Sequence, residues 1–153
     1  MKGFMNNIYD CVDSYAPLLD VEYSLLLGRK GKTTLLNIQF CENDFFHLLG
    51  LQYLTDLAEL KRDRKIVFNA LKSRIIHCHQ IESSCFYNVI TNRIRYLPSL
   101  EFLFDSNDTI FKYNNGLNSF SKIQAEFLMK NTIEDKNIFI FLSSDKSEHR
   151  AIM

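Results

Sequence analysis

Tryptophan is absent from this chain of 153 residues, and proline occurs only twice. The apolar interior must therefore come from elsewhere, and thirteen phenylalanines and seven tyrosines supply much of it. No apolar run approaches the roughly 18 to 20 residues that a membrane span requires. The start, MKGFMNNIYDCVDSY, puts acids and amides where a signal peptide would continue its apolar region. The reading is a cytoplasmic protein with no membrane association. Four cysteines (Cys11, Cys41, Cys78, Cys85) without a secretory signal read as free thiols serving as small core residues. Net charge is zero as well, which removes any strong global pull toward a polyanion.

That neutrality conceals an uneven distribution. Residues 1–60 carry four basic and eight acidic side chains, whereas 61–100 carry eight basic and two acidic ones. The middle third thus holds an excess of six positive charges, consistent with facing a polyanion or with a solvated helical surface. At this length a single domain over 1–153 is expected, with 1–19 as an N-terminal helical extension.

Several reaction classes lack their motif. Gly31-Lys32-Thr33 ends like a phosphate loop, but Leu26 stands where that loop needs glycine, and the following TLLNIQF reads as strand. A hairpin turn with basic residues is the better account. No G-x-S-x-G elbow and no H-E-x-x-H occurs. The HCH run at 77–79 offers ligand types, yet on a helix His77 and His79 would point about 200° apart. Cys78 and Cys85 alone make no zinc site. Neither a metal nor another cofactor is expected.

Periodicity supplies the elements. Ile8, Cys11, Val12 and Tyr15 recur at helical spacing, with Pro17 marking the end. VEYSLLL and TTLLNIQF flank GRKGK as a β-hairpin. ENDFFHLLGLQYLTDL follows as a helix with Asn43 or Asp44 as N-cap. Ile66, Val67, Ala70 and Leu71 mark a second helix, and Phe86, Val89, Ile90, Ile94 and Leu97 a longer one ending before Pro98. TIFKYN, KIQAEFLMK and NIFIFLSS read as strands of an antiparallel meander, with Glu134-Asp135 in a turn. The fold class is α+β: N-terminal helix and β-hairpin, central helices, then C-terminal antiparallel strands forming one small sheet with helices packed on one face.

His47 is the residue that periodicity leaves open. With Asp44 as N-cap it would occupy the third helical position, where free N–H groups and the helix dipole disfavour imidazolium. On a helical wheel it lies beside Leu51 and Leu54. It reads either as a hydrogen-bonded core histidine or as a neutral general base.

Phe46, His47, Leu48, Gly50 and Leu51 match a Phe/Pro-His-Leu-x-Gly-Leu run that follows an N-terminal β-hairpin. With NRIRYLPSLEFLF, TIFKYNN, SKIQAEFLMKN and NIFIFLSS, the chain resembles the phage-associated branch of the barnase–EndoU–colicin–RelE (BECR) nucleases. The resemblance covers about residues 20–143, and DKSEHRAIM diverges from the strand and aromatic segment with which the family continues. It implies a bacterial or phage-encoded, toxin- or effector-like domain that cleaves RNA without metal, by attack of the 2′-hydroxyl on the adjacent phosphate. An antitoxin or a phage protein would be a partner. His47 would be base or acid, Lys112 and Lys122 would offset phosphate charge, and Ser121 would donate a hydrogen bond. Strand alternation would carry Lys112 to solvent while Phe111 packs inward. Arg93 and Tyr113 would bind substrate, although Arg93 could instead pair with an acid such as Glu101. The alternatives are a non-catalytic RNA- or protein-binding module of the same fold, or a truncated inactive remnant.

Overall fold

The computed structural model describes residues 6–106, 109–112, 125–145 and 148–152. Contacts divide the chain into two compact units: Met1–Leu19 with Cys41–Glu101, and Asp20–Phe40 with Phe102–Met153.

The first unit is helical. Helix α1 (Ile8–Tyr15) begins at Asn7, whose side chain accepts from the Asp10 N–H at 3.0 Å while Asp10 accepts from the Asn7 N–H at 2.7 Å. This reciprocal box satisfies two N–H groups that the first turn leaves unpaired. Its four periodic residues, Ile8, Cys11, Val12 and Tyr15, are all buried as expected. Tyr15 meets Phe45 of α2 (Glu42–Leu49) and Phe68 of α3 (Arg64–Lys72), with centroids 5.2 and 5.9 Å away. Phe45 and Phe68 are 5.0 Å apart, so three rings close a triangle in the core. The Tyr15 hydroxyl donates to the Cys41 carbonyl at 2.8 Å. Tyr15→Phe keeps the ring packing and removes that bond, so urea unfolding should show a loss of about 0.5–1.5 kcal/mol.

Two sequence expectations change here. In α3 the buried stripe is Val67, Phe68 and Leu71, while Ile66 is 53% exposed. The long helix expected over 86–97 is broken into a 3-10 turn (Tyr87–Val89), α5 (Thr91–Tyr96), another 3-10 turn (Leu97–Ser99) and α6 (Leu100–Asp105), after a short α4 (Cys78–Glu82). Ile90, Ile94 and Leu97 are buried, but Phe86 and Val89 are exposed. Ahead of this stretch, Asp56 accepts from the Ser84 hydroxyl at 2.6 Å and the Cys85 N–H at 2.9 Å. The Ser84 hydroxyl oxygen in turn accepts from the Phe86 N–H at 3.1 Å. These bonds hold the chain in a turn where the apolar spacing alone asks for helix.

The second unit carries the strands: β1 (Glu22–Arg29), β2 (Lys32–Gln39), β3 (Thr109–Lys112), β4 (Phe127–Ile133), β5 (Lys136–Asp145) and β6 (Glu148–Ile152). β1 and β2 form a hairpin whose turn is tighter than the GRKGK segment suggested. Only Lys30 and Gly31 lie between the strands, both at positive φ (50° and 75°), as a two-residue turn of this hand requires. Strand, not helix, follows it. Glu134 and Asp135 close the β4–β5 hairpin in the same way, at φ 47° and 61°.

The α+β class holds, but the expectation of one small antiparallel sheet needs correction. The strands form two antiparallel sets, β1–β2 and β3–β4–β5. Among the described strands only β6 links them, antiparallel to β5 and parallel to β2 over two residue pairs, in the order β1-β2-β6-β5-β4-β3. Each set leaves its outer edges unpaired, so a further strand is needed to bridge the two. DKSEHRAIM, which diverges in sequence, supplies that strand.

Alternation sorts each set into two faces. Leu36 and Ile38 of β2, Met129 of β4, and Ile140 and Leu142 of β5 are buried to 1% exposure or less. Leu26 and Leu35, cross-strand partners on the other face of the hairpin, are exposed. Phe104 of α6 packs within this unit, 5.0 Å from Tyr23 and 5.1 Å from Phe40 between ring centroids. Asn131, buried at its side chain, donates to the Leu103 carbonyl at 3.2 Å.

Candidate functional site

Helix α2 starts earlier than its sequence implied. Cys41 is the N-cap, and Asp44 is the third helical residue, accepting from the Cys41 N–H at 3.2 Å. The Asp44 N–H donates to the Cys41 carbonyl at 3.1 Å. Asp44 therefore closes the box from inside the helix rather than capping it. His47 consequently moves from the first turn to the last, where the dipole by itself would favour imidazolium. The helix dipole therefore does not keep this ring neutral.

The ring nevertheless prefers to be neutral. Burial holds the His47 pKa below the ordinary imidazole value, and the nearby guanidinium groups of Arg64 and Arg93 add to the effect. Arg93 also removes the opposing influence. Its Nη1 donates to the His47 carbonyl at 3.0 Å and the Leu48 carbonyl at 3.2 Å, occupying the negative end of α2. The guanidinium lies 5.5 Å from the Tyr53 ring centroid, and its own pKa is lowered by desolvation.

Gly50 makes this arrangement feasible. It ends α2 in the left-handed region at φ 83°, and its N–H bonds back to the Phe46 and His47 carbonyls. A Cβ there would lie 2.9 Å from Arg93 Cδ and 3.1 Å from Ile90 Cγ2. The His-Leu-x-Gly-Leu spacing thus has a physical reading: three residues after the histidine, the chain must turn left-handed and leave room for an arginine.

The helix stops at Leu49, so the helical-wheel neighbours Leu51 and Leu54 belong to the turn beyond it and are buried. His47 is half-buried, with the adjacent Phe46 ring centroid 6.0 Å away. Among the described residues no hydrogen bond engages its imidazole. A neutral, accessible and unengaged imidazole can accept a proton.

Folding lowers this pKa, so the unfolded chain binds the proton more readily. The contribution to stability is complete above the ordinary imidazole range and declines as pH falls below about 6.5. Urea midpoints measured between pH 5 and 8 should fall on the acid side, and His47→Gln should flatten that part of the curve. Asp56, held below its usual range chiefly by the Ser84 hydroxyl, loses its contribution only at lower pH.

The other expected site residues are placed as follows. Arg93 meets His47 within the first unit. Lys112 lies in the second unit, exposed at the end of β3 and paired with Phe127. It reaches solvent as expected, but on the face that Ile110 shares with buried Met129. Phe111's side chain, Tyr113, Ser121 and Lys122 lie outside the described residues. Sequence reasoning passed over Arg64 as a neighbour of His47, and over Arg29 and Lys32 as companions of Lys112. The last two share a groove of about 730 Å³ with Lys112, lined also by Leu27, Thr34 and Phe127. Alternation in β1 and β2 was the available signal, because Leu27, Arg29, Lys32 and Thr34 fall on one face.

His77 and His79 do not point apart. His77 is the N-cap of α4, in extended backbone, and the two rings stack at 5.4 Å and 13°. Among the described residues no group of three or more His, Cys, Asp or Glu side chains could hold a metal ion. The cysteines are free, yet only Cys11 is buried, and Cys85 is exposed. No helix among the described residues is long and apolar enough to cross a membrane.

A family model described as phage-Barnase-EndoU-ColicinE5/D-RelE like nuclease4 matches residues 7–152. It takes in α1 and β6, which the 20–143 resemblance left out. No curated protein and no solved structure matches.

Proposed function

Because the chain belongs to the phage-associated Barnase-EndoU-ColicinE5/D-RelE-like nuclease family, we propose that it is an endoribonuclease that works without metal. The observation that carries this reading is His47: half-buried, held neutral, unengaged by hydrogen bonds among the described residues, and seated in the family's motif. In the proposed reaction the imidazole takes the proton of a ribose 2′-hydroxyl. That oxygen bonds to the adjacent phosphorus, the bond from phosphorus to the 5′-oxygen breaks, and the leaving oxygen is protonated. The products are a 2′,3′-cyclic phosphate and a 5′-hydroxyl.

By the family resemblance alone, Lys112 and Lys122 are assigned to offsetting charge on phosphate oxygens and Ser121 to a hydrogen bond with them. Arg93 and Tyr113 hold substrate. Arg93 also has a positioning role, because its bonds to the α2 carbonyls hold the turn that carries His47. The second reading, a non-catalytic binding module, expects a buried histidine bonded to backbone. The half-buried ring favours catalysis.

The test is incubation of purified protein with single-stranded RNA in excess chelator, followed by analysis of product ends. Cyclic phosphate termini that depend on His47 support the proposal. Intact RNA, or cleavage unaffected by His47→Ala, defeats it.

A further inference from the structure

The core-facing side of the β1–β2 hairpin ends in an unexpected way. Leu36 and Ile38 are buried on that face, and Leu27 and Thr34 pair next along it. The last pair before the turn is Arg29 with Lys32, both exposed. In the other strand set, Ile110 pairs with buried Met129, and Lys112 pairs with Phe127 at the end of β3. Two core-facing surfaces, both within the second unit, therefore exchange apolar side chains for cations where they line the same groove.

A row of three cations at core-facing positions does nothing for the core. Ammonium and guanidinium groups lining one groove repel one another, and no carboxylate lines it among the described residues to offset them. Such a cleft is complementary to a ligand that brings several negative charges along with flat apolar surface. Leu27 and Phe127 give the apolar wall, Thr34 a hydroxyl, and the cations reach from both sides. A chain of nucleotides matches: phosphates for the cations, and the apolar faces of bases for the apolar wall. The volume of about 730 Å³ suits nucleotide units rather than a double helix.

We propose that the groove of Arg29, Lys32 and Lys112 binds the phosphate backbone of single-stranded RNA. The inference rests on RNA being the polymer this protein acts on, and it adds a grip that neither His47 nor its helix provides. Arg29 and Lys32 bind and take no part in the chemistry.

The experiment uses the full chain and a 2′-O-methyl oligoribonucleotide, which lacks the attacking hydroxyl and cannot be cleaved. Affinity is measured by fluorescence anisotropy at several salt concentrations, for wild type and for Arg29→Gln/Lys32→Gln. Both residues are exposed, and circular dichroism confirms that the variant folds. Each lost phosphate contact should reduce the slope of log affinity against log salt by about 0.7. The double variant should therefore have a slope smaller by about 1.4 and bind about 10-fold more weakly at 0.2 M salt.

Equal affinity and slope in the two proteins overturn the groove, even if wild type cleaves RNA through His47. Loss of binding in the variant, with no cleavage of ordinary RNA by wild type, upholds the groove and defeats the nuclease reading. A polyglutamate probe that binds as tightly and suffers the same loss would overturn RNA as the occupant in favour of an acidic protein.

Discussion

His47→Ala is expected to slow RNA cleavage by about 10²- to 10⁴-fold, the range a positioned general base contributes. Binding of an uncleavable RNA should change little, because the imidazole is assigned to the proton and not to holding phosphate. The pH profile carries further information. A base must be unprotonated to act, and burial with Arg64 and Arg93 holds this one below the ordinary imidazole value. The acid limb of kcat/KM should therefore lie below about pH 6.5, and it should vanish in the alanine variant along with the rate. An acid limb that persists unshifted in His47→Ala would assign the titrating base to another residue. Folding is not the confounding variable, since the ring is half-buried and makes no hydrogen bond among the described residues.

Gly50→Ala should destabilise the first unit by about 2–4 kcal/mol. About 1–2 kcal/mol comes from holding an L-residue at φ 83°. The remainder comes from a methyl 2.9 Å from Arg93 Cδ and 3.1 Å from Ile90 Cγ2. Urea or thermal unfolding would measure it. The two contributions separate in a double-mutant cycle. Arg93→Ala deletes Cδ and Nε, so Gly50→Ala should cost less in that background than in wild type. Strict additivity would show that the contact with Arg93 is not where the strain resides. The same variant tests the link from fold to site. If Arg93 positions the turn carrying His47, residual folded Gly50→Ala protein should lose more in kcat than in RNA affinity.

The two positions also show where sequence is sufficient. The periodicity of Ile8, Cys11, Val12 and Tyr15 determined α1, and the polar break between two β-rich runs determined the first hairpin. Glu134-Asp135 lay in a turn between strands, as their neighbours implied. Such features depend on residues within a few positions of one another, which is the range over which helical and strand periods act. The spacing of the His-Leu-x-Gly-Leu run reflects a requirement of the same local kind: a helix end, a left-handed glycine and the residue after it.

What depended on distant partners, or on a choice between neighbouring caps, was not legible. The N-cap of α2 went to Cys41 because Asp44 could close the box from within, and this one shift moved His47 from one end of the dipole to the other. The turn that replaces the start of the helix expected over 86–97 is held by a carboxylate about thirty residues upstream, at Asp56. A strand from the divergent C-terminus joined the two antiparallel sets. Lys112 shares a groove with Arg29 and Lys32, some eighty residues away in the chain.

Sequence alone thus determined α1, the first hairpin and the Glu134-Asp135 turn, and it placed His47 in a run that resembles the family's. Tertiary structure decided why that histidine stays neutral and which cations stand together. A residue's period is set by its own backbone, whereas its pKa and its charge neighbours are set by whatever the rest of the chain folds against it.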